Sequence, residues 1–409
     1  MSEVSERAVP GRGLRGRVQR IDWHDRNTLA YVVLFGLAIV FPGLVQFATG
    51  GNGTYLVSTA ADAGVYVLLA LGLNVVVGFA GLLDLGYAAF FAIGAYTYAM
   101  LASNRLAVTP LHHAVHIPFW LLLLVAVFVA ALFGALLGAP TLRLRGDYLA
   151  IVTLGFGEIV PRVFRNLATW TGGVNGIPAL DVPTLPAWIT GPWAGTPLAV
   201  VRDFQFIDPT AFYVLMVALL VVIVVLINNL QRSRLGRAWM AIREDEVAAA
   251  AMGINTVTTK LLAFAIGASF SGFAGCFYGA KLSLVSPENF SFVVSVTILL
   301  MVVLGGMGNI PGVMMGALAI YVIDFYVLTN LPAWTSGAAN ALGLGFLNQQ
   351  QGDWPGLGDE TQRLIYLVFG LILVCTMLLR PQGLLPSRVR QQELAQASTQ
   401  ESLADVESA

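Results

Sequence analysis

Residues 211–280 decide the fold. "AFYVLMVALLVVIVVLI" (211–227) is almost pure hydrocarbon, "RAWMAIREDEVAAAAMGINTVTTK" (237–260) is dense in charge, and "LLAFAIGASFSGFAGCFYGA" (261–280) is apolar again. Two stretches of lipid-soluble length around one charged block describe a chain that crosses a bilayer, emerges and crosses back. Composition extends that reading to all 409 residues, of which 57% are hydrophobic and 11% charged. Soluble domains carry about 25% charged residues. A water-soluble fold could not bury this much apolar surface, so the expected class is an all-α polytopic membrane protein in contact with lipid. A net charge of −1 offers no basis for a nucleic-acid partner.

Apolar segments fall near 29–47, 59–79, 83–102, 119–139, 147–165, 210–230, 258–282, 292–306, 312–329 and 363–379. Each is close to the roughly 20 residues of a spanning helix, which predicts about ten spans. Arginine placement tests the count. With the N-terminus inside, 16 of the 22 basic residues fall on cytoplasmic segments, among them Arg12, Arg143, Arg145, Arg232 and Arg388. That bias fits the positive-inside rule with both termini cytoplasmic. Residues 1–28 read as a basic cytoplasmic segment leading into an uncleaved anchor, 29–386 as the membrane domain, and 387–409 as a polar, disordered tail.

On this topology the charged block belongs to the longest inside loop, 231–258. Its Ala, Glu, Arg and Met favour a short helix lying across the membrane face. Trp239, Ile242 and Ala249 recur at near-helical spacing, and Gly253 supplies a C-terminal stop. Such an element is either a solvated connector or a docking surface for a cytoplasmic partner. The chain has no G-x-x-x-x-G-K-[ST] run, so it does not cradle nucleotide phosphates by that route. "GGMGNIPG" (305–312) has no lysine and follows an apolar span, so it reads as a tight turn. A solute carrier without its own motor must borrow one, use an ion gradient, or act as a passive pore.

Four motifs in order resemble the branched-chain amino acid ABC transporter permeases of the LivM type. They are "LGLNVVVGFAGLLDLGYAAFFAIGAYTYAML" (71–101), "PTLRLRGDYLAIVTLGFGEIVPRVFRNLATWTGGVNGI" (140–177), the 233–275 stretch around the charged loop, and "RPQGLLP" (380–386). The resemblance covers about residues 30–386. It implies a type II-like importer permease in the bacterial cytoplasmic (inner) membrane. Two related permeases would pair, two cytoplasmic ATPases would bind ATP below, and a periplasmic or extracytoplasmic binding protein would deliver the substrate. This chain would then hold no cofactor and no catalytic residue. The 231–258 loop would fit a cleft on the ATPase, with Arg237, Arg243, Glu244, Asp245 and Glu246 polar enough to stand outside lipid. Ala249 and Gly253 would allow a close fit.

Ionisable residues at membrane depth form the second informative set: Asp62, Asp84, Glu158 and Asp324. A carboxylate at the bilayer centre costs a few kcal/mol, so each should face a cavity, a partner or another of the set. Asn74, Asp84, Glu158 and Asp324 are the translocation-path candidates. Glu158 could instead be a structural carboxylate bonded to backbone groups freed by Pro161. At Asp84 and Tyr87 the sequence departs from the family, which usually has a small polar residue and a histidine there.

The remaining features have bland readings. Cys276 and Cys375 fall in apolar runs and read as small hydrophobes. "HHAVH" (112–116) has helical ligand spacing but no acidic or thiol neighbour in sequence, and reads as a solvated outer cluster. Gly267, Gly272, Gly275 and Gly279 read as a close-packing face. The outer segments 168–208 and 330–362 read as structured loops with Trp170, Trp188, Trp193 and Trp354 at headgroup level. The expectation is a permease subunit of an ATP-driven importer for branched-chain amino acids. The rivals are a permease for urea or short amides and an ion-coupled secondary transporter using Asp84, Glu158 or Asp324.

Overall fold

Hydrocarbon offers peptide groups no hydrogen-bond partners, so a spanning segment must satisfy its backbone internally, and helices do so. The structure, a computed structural model, describes residues 26–50, 53–141, 147–178, 180–184, 208–350, 356–379 and 383–385. Its principal helices are α1 (Arg26–Ala48), α2 (Thr54–Asn74), α3 (Tyr87–Leu101), α4 (Phe119–Thr141), α5 (Asp147–Asn166) and α6 (Pro209–Arg232). They continue with α7 (Arg234–Glu244), α8 (Glu246–Ala251), α9 (Thr256–Leu282), α10 (Phe292–Gly305), α11 (Ile310–Tyr321), α12 (Thr329–Ala341) and α13 (Leu357–Leu379). Two antiparallel pairs of two-residue strands, Ala102–Ser103 with Val115–His116 and Ile177–Pro178 with Leu284–Val285, tie connecting segments together.

Seven helical stretches among the described residues are long and apolar enough to cross a membrane. The other three expected spans, 83–102, 147–165 and 363–379, coincide with α3, which has 15 residues, with α5, which carries Asp147, Glu158, Arg162 and Arg165, and with the 23-residue α13, many of whose side chains lie outside the described residues. The arginine-rich N-terminal residues, Arg143 and Arg145, and the tail from 386 lie outside the described residues.

Three boundaries differ from the expectation, each for a local reason. The third helix begins at Tyr87 rather than near 83. Gly81 has φ +69°, and the Asp84 carboxylate accepts the Gly86 N–H at 2.9 Å, a local turn that competes with the helix. The charged loop holds two helices rather than one. Asp245, extended, caps the second by accepting from the N–H groups of Val247 (2.8 Å) and Ala248 (3.0 Å). The ninth span does not stop at 329 but runs through a π-helical segment, Val322–Leu328, into α12. Much of the expected 330–362 loop is therefore helix. Pro332 is tolerated there because the π segment just before it has already interrupted the i→i−4 ladder.

The core is organised on α9, which packs against α2, α3 and α4. Glycine makes that possible. A side chain at Gly94 of α3 would collide with the backbone of Gly272, and one at Gly275 with the carbonyl of Phe91. Gly267 fits the same way beneath Val76 of the segment following α2. Cys276 is buried in this layer, and the side chain of Cys375 lies outside the described residues. The tight turn expected at 305–312 joins α10 to α11, with Gly306 at φ +106° and Gly308 at φ +86°, values that side chains resist.

Overpacking a well-packed contact costs about 1–3 kcal/mol. Gly94→Val should therefore lower the thermal unfolding temperature of the detergent-solubilised protein. Gly36→Val, at an α1 position with no atom within 4 Å of an added Cβ, should leave it near wild type.

Candidate functional site

The charged loop is anchored on one side and open on the other. Ser233 caps α7 by accepting from the Gly236 N–H at 3.2 Å, which starts the helix immediately after α6. The apolar positions then turn inward. Trp239 is fully buried and its indole N–H donates to the carbonyl of Thr259 on α9 at 2.7 Å. Ile242 and Ala249 are buried with it. Ala249 therefore packs against this chain and does not present the close-fitting outer surface expected of it. Glu244, Asp245, Val247, Met252 and Gly253 form the exposed side. Gly253, at φ +86° with nothing near an added Cβ, closes α8 as the sequence predicts.

The charged residues divide between the two sides. Arg237 is exposed and donates to the Arg232 carbonyl at 2.7 Å. Glu246 pairs with Lys260 at the start of α9 at 2.6 Å. Arg243 reaches inward and donates to the carbonyl of Gly78 at 2.5 Å. Gly78 belongs to a π-helical segment, Val75–Phe79, that prolongs α2. The Arg243 stem lies over Gly81, where an added Cβ would come within 2.9 Å of its Cγ.

The same region gathers the ends of three further elements. Asn74 accepts the Gly308 N–H at 2.8 Å, and its amide nitrogen is buried with no partner among the described residues. The Gly308 carbonyl in turn accepts from Gln231 at 3.4 Å, and Asn309 donates to the Leu385 carbonyl at 2.8 Å. Leu384 and Leu385 donate their N–H groups to the carbonyls of Leu304 and Gly305 at 2.7 and 3.2 Å. Asn74, a candidate for the translocation path, is thus brought to the loop end of the molecule. Gln231 and Asn309 carried no signal in sequence beyond being amides beside a turn.

The carboxylates do not converge on one site. Asp62 of α2 pairs with Lys281 of α9 at 2.5 Å, and Lys281 also donates to the Ser58 carbonyl at 2.7 Å. Asp84 is buried, and its second oxygen has no partner among the described residues. Beside it, Leu85 N–H donates to Thr153 at 3.1 Å, Ala88 N–H to Ser295 at 2.9 Å, and the Tyr87 hydroxyl to the Gly267 carbonyl at 2.9 Å. Glu158 is not bonded to backbone freed by Pro161; it pairs with Arg162 one turn on at 3.0 Å, at the surface. Asp324 lies in the π segment between α11 and α12, beside a cluster of Tyr66, Tyr321 and Phe325 rings with centroids 4.5–5.5 Å apart.

At the far end of the helices, Arg165 pairs with Glu288 at 2.6 Å, and Arg105 donates to the carbonyls of Ala168, Thr169 and Trp170. His116 is not simply solvated. It meets Asp181 at 2.7 Å and Asn104 at 3.0 Å, neighbours that sequence distance conceals. Trp188, Trp193 and Trp354 lie outside the described residues.

Comparison with known proteins places this geometry. The high-affinity branched-chain amino acid transport system permease protein LivM of Escherichia coli is 39% identical over 368 residues, 88% of this chain and 75% of that protein. A probable branched-chain amino acid transport permease protein LivM of Methanocaldococcus jannaschii is 27% identical over 80% of this chain and 91% of its own length. The LivH permease of Escherichia coli is 24% identical over 82% of this chain and 93% of its own. No solved structure matches. The family described as branched-chain amino acid transport system / permease component matches residues 55–377, so this chain is a multi-pass membrane permease subunit of that family.

Proposed function

We propose that the chain is the transmembrane subunit of an ATP-driven importer for branched-chain amino acids. It pairs with a second permease, takes its substrate from an extracytoplasmic binding protein, and draws its energy from separate ATPase subunits. The observation that carries this reading is the α7–α8 element. Its outer side is exposed, with Glu244 and Asp245 beside the apolar Val247 and Met252, while the element is fixed to α9 by Trp239 and by the Glu246–Lys260 pair and to the end of α2 by Arg243. A solvated connector has no need of these anchors. An element that must convert a push from below into movement of two spanning helices requires them. The names of the similar permeases support branched-chain substrates.

Reconstituted vesicles test the energy source. Leucine uptake should require ATP together with the ATPases, the second permease and the binding protein. Uptake by this chain alone down a proton or sodium gradient would identify a secondary transporter. Preferential uptake of urea under the ATP-dependent conditions would reassign the substrate.

The loop has its own test. Glu244→Lys alters the exposed side alone, whereas reversing Glu246 would also break its pair with Lys260. Like charges at a desolvated contact cost several kcal/mol, so Glu244→Lys should reduce ATPase co-purification at least tenfold. Glu393→Lys in the C-terminal segment should not. Arg243→Ala should retain the ATPases yet lower uptake per ATP hydrolysed, because the helix still docks while its link to Gly78 is gone. Wild-type uptake in Glu244→Lys would reduce the loop to a connector.

A further inference from the structure

We infer that the outward face of α5 is the surface on which the second permease packs. The inference rests on the proposal that the chain pairs with such a subunit. The inner side of α5 is spoken for: Leu149, Thr153 and Val160 are buried, and Gly157 lies against the backbone of Leu85 and Gly86. The opposite side carries Ile151, Gly155, Glu158, Ile159 and Arg162, spaced by three or four residues so that they form one stripe. At 20 residues α5 is about 30 Å long, enough to cross the hydrocarbon core. Glu158 stands near its middle.

That stripe is unsuited to lipid. Arg162 has 71% of its side chain exposed and Glu158 39%, and the two meet at 3.0 Å. The exposed pair Glu360–Arg363 lies in the first two turns of α13, where a charge can reach the interface, whereas Glu158 stands near the middle of α5. The pair Asp62–Lys281 has its lysine 92% buried. A carboxylate at the middle of a spanning helix, as Glu158 is, faces protein or a water-filled cavity, and Arg162, one turn from the helix end, reaches back to it. Helix α1 shows what a lipid face looks like in the same molecule: its exposed Val32, Val33, Leu37, Ile39, Val40 and Leu44 include no charge.

Gly155 selects protein over water. A Cβ there would meet nothing within 4 Å, although Ile151 and Ile159, exposed one turn to either side, make the surroundings apolar. A notch between branched apolar side chains admits the backbone of a crossing helix, which is how membrane helices associate. Gly36 and Gly43 of α1 are equally open, so openness alone distinguishes nothing. The coincidence of the notch with the surface ion pair does. The occupant is a homologous permease that crosses at Gly155 with a small residue and sets a polar group over Glu158 and Arg162.

The test uses the full chain co-expressed with a LivH-type permease and the ATPases. The readouts are the amount of second permease that co-purifies, the thermal stability of this chain by itself, and leucine uptake. Gly155→Leu should reduce co-purification at least tenfold and leave the stability of the isolated chain unchanged, since no atom of its own fold is displaced. Gly36→Leu should alter neither. The double variant Glu158→Leu/Arg162→Leu should also insert and fold but lose the second permease. Wild-type co-purification in both α5 variants would overturn the inference. A fall in uptake with assembly intact would overturn it too, assigning the stripe to an aqueous path. If the wild-type chain itself retains no second permease, the pairing proposal fails and this surface fails with it.

Discussion

How closely α9 can be approached sets the rest of the structure. In lipid the hydrophobic effect does not drive helix against helix, so association depends on van der Waals contact and on polar groups that cannot remain in hydrocarbon. Gly275 brings α9 to the backbone of α3 at Phe91, Gly272 to that of α4 at Ala126, and Gly267 to the Val76 side chain after α2, each at a distance a further side chain would prevent. At that distance polar pairs become possible across helices. The Tyr87 hydroxyl reaches the Gly267 carbonyl, and Ser271 reaches the Tyr87 carbonyl at 3.4 Å. The non-helical residues before α3 can then exist, because the side chains of Thr153 and Ser295 accept backbone N–H groups that a helix would otherwise satisfy.

The same packing makes the loop end of the molecule one connected piece. The π segments after α2 and α11 leave carbonyls out of the regular ladder. At the first, the Gly78 carbonyl is taken by Arg243, so α7 is joined to a spanning helix by a charge-assisted hydrogen bond. Asn74 and Gln231 hold the Gly308 turn from two helices, and Asn309 holds the 383–385 segment. Through these bonds α7 is joined to the end of α2, and the end of α2 to the turn between α10 and α11. The opposite end is held differently, by the ion pairs Asp62–Lys281 and Arg165–Glu288 and by the two short strand pairs.

Much of the fold was legible in sequence because a bilayer tolerates few backbone solutions. Helical spans follow from apolar length, and each predicted span coincides with a helix. The tight turn at 305–312, the inward Trp239 and Ile242 and the stop at Gly253 also follow from local rules: glycine at positive φ and apolar residues at helical spacing. The family was readable from four motifs in order. Local rules failed where a residue's partner is distant in sequence. Asp62 needed a partner, but nothing local identified Lys281, which lies 219 residues further on. Glu246 and Arg243 read alike as loop charges, yet one pairs with Lys260 at the surface and the other turns inward to a carbonyl. Ala249 and Gly253 read alike as small residues, and only the fold buries the first.

By itself, then, the sequence determined a helical membrane permease, the placement of its charged loop and the glycines that permit close packing. These depend on solvent, helix period and backbone freedom, each of which acts over a few residues. The tertiary structure decided which carboxylates are paired, which face of α5 is left with charge at its surface, and which loop residues anchor rather than protrude. Those outcomes depend on how helices far apart in the chain meet in space, and the chemistry of a charge is set by what it meets.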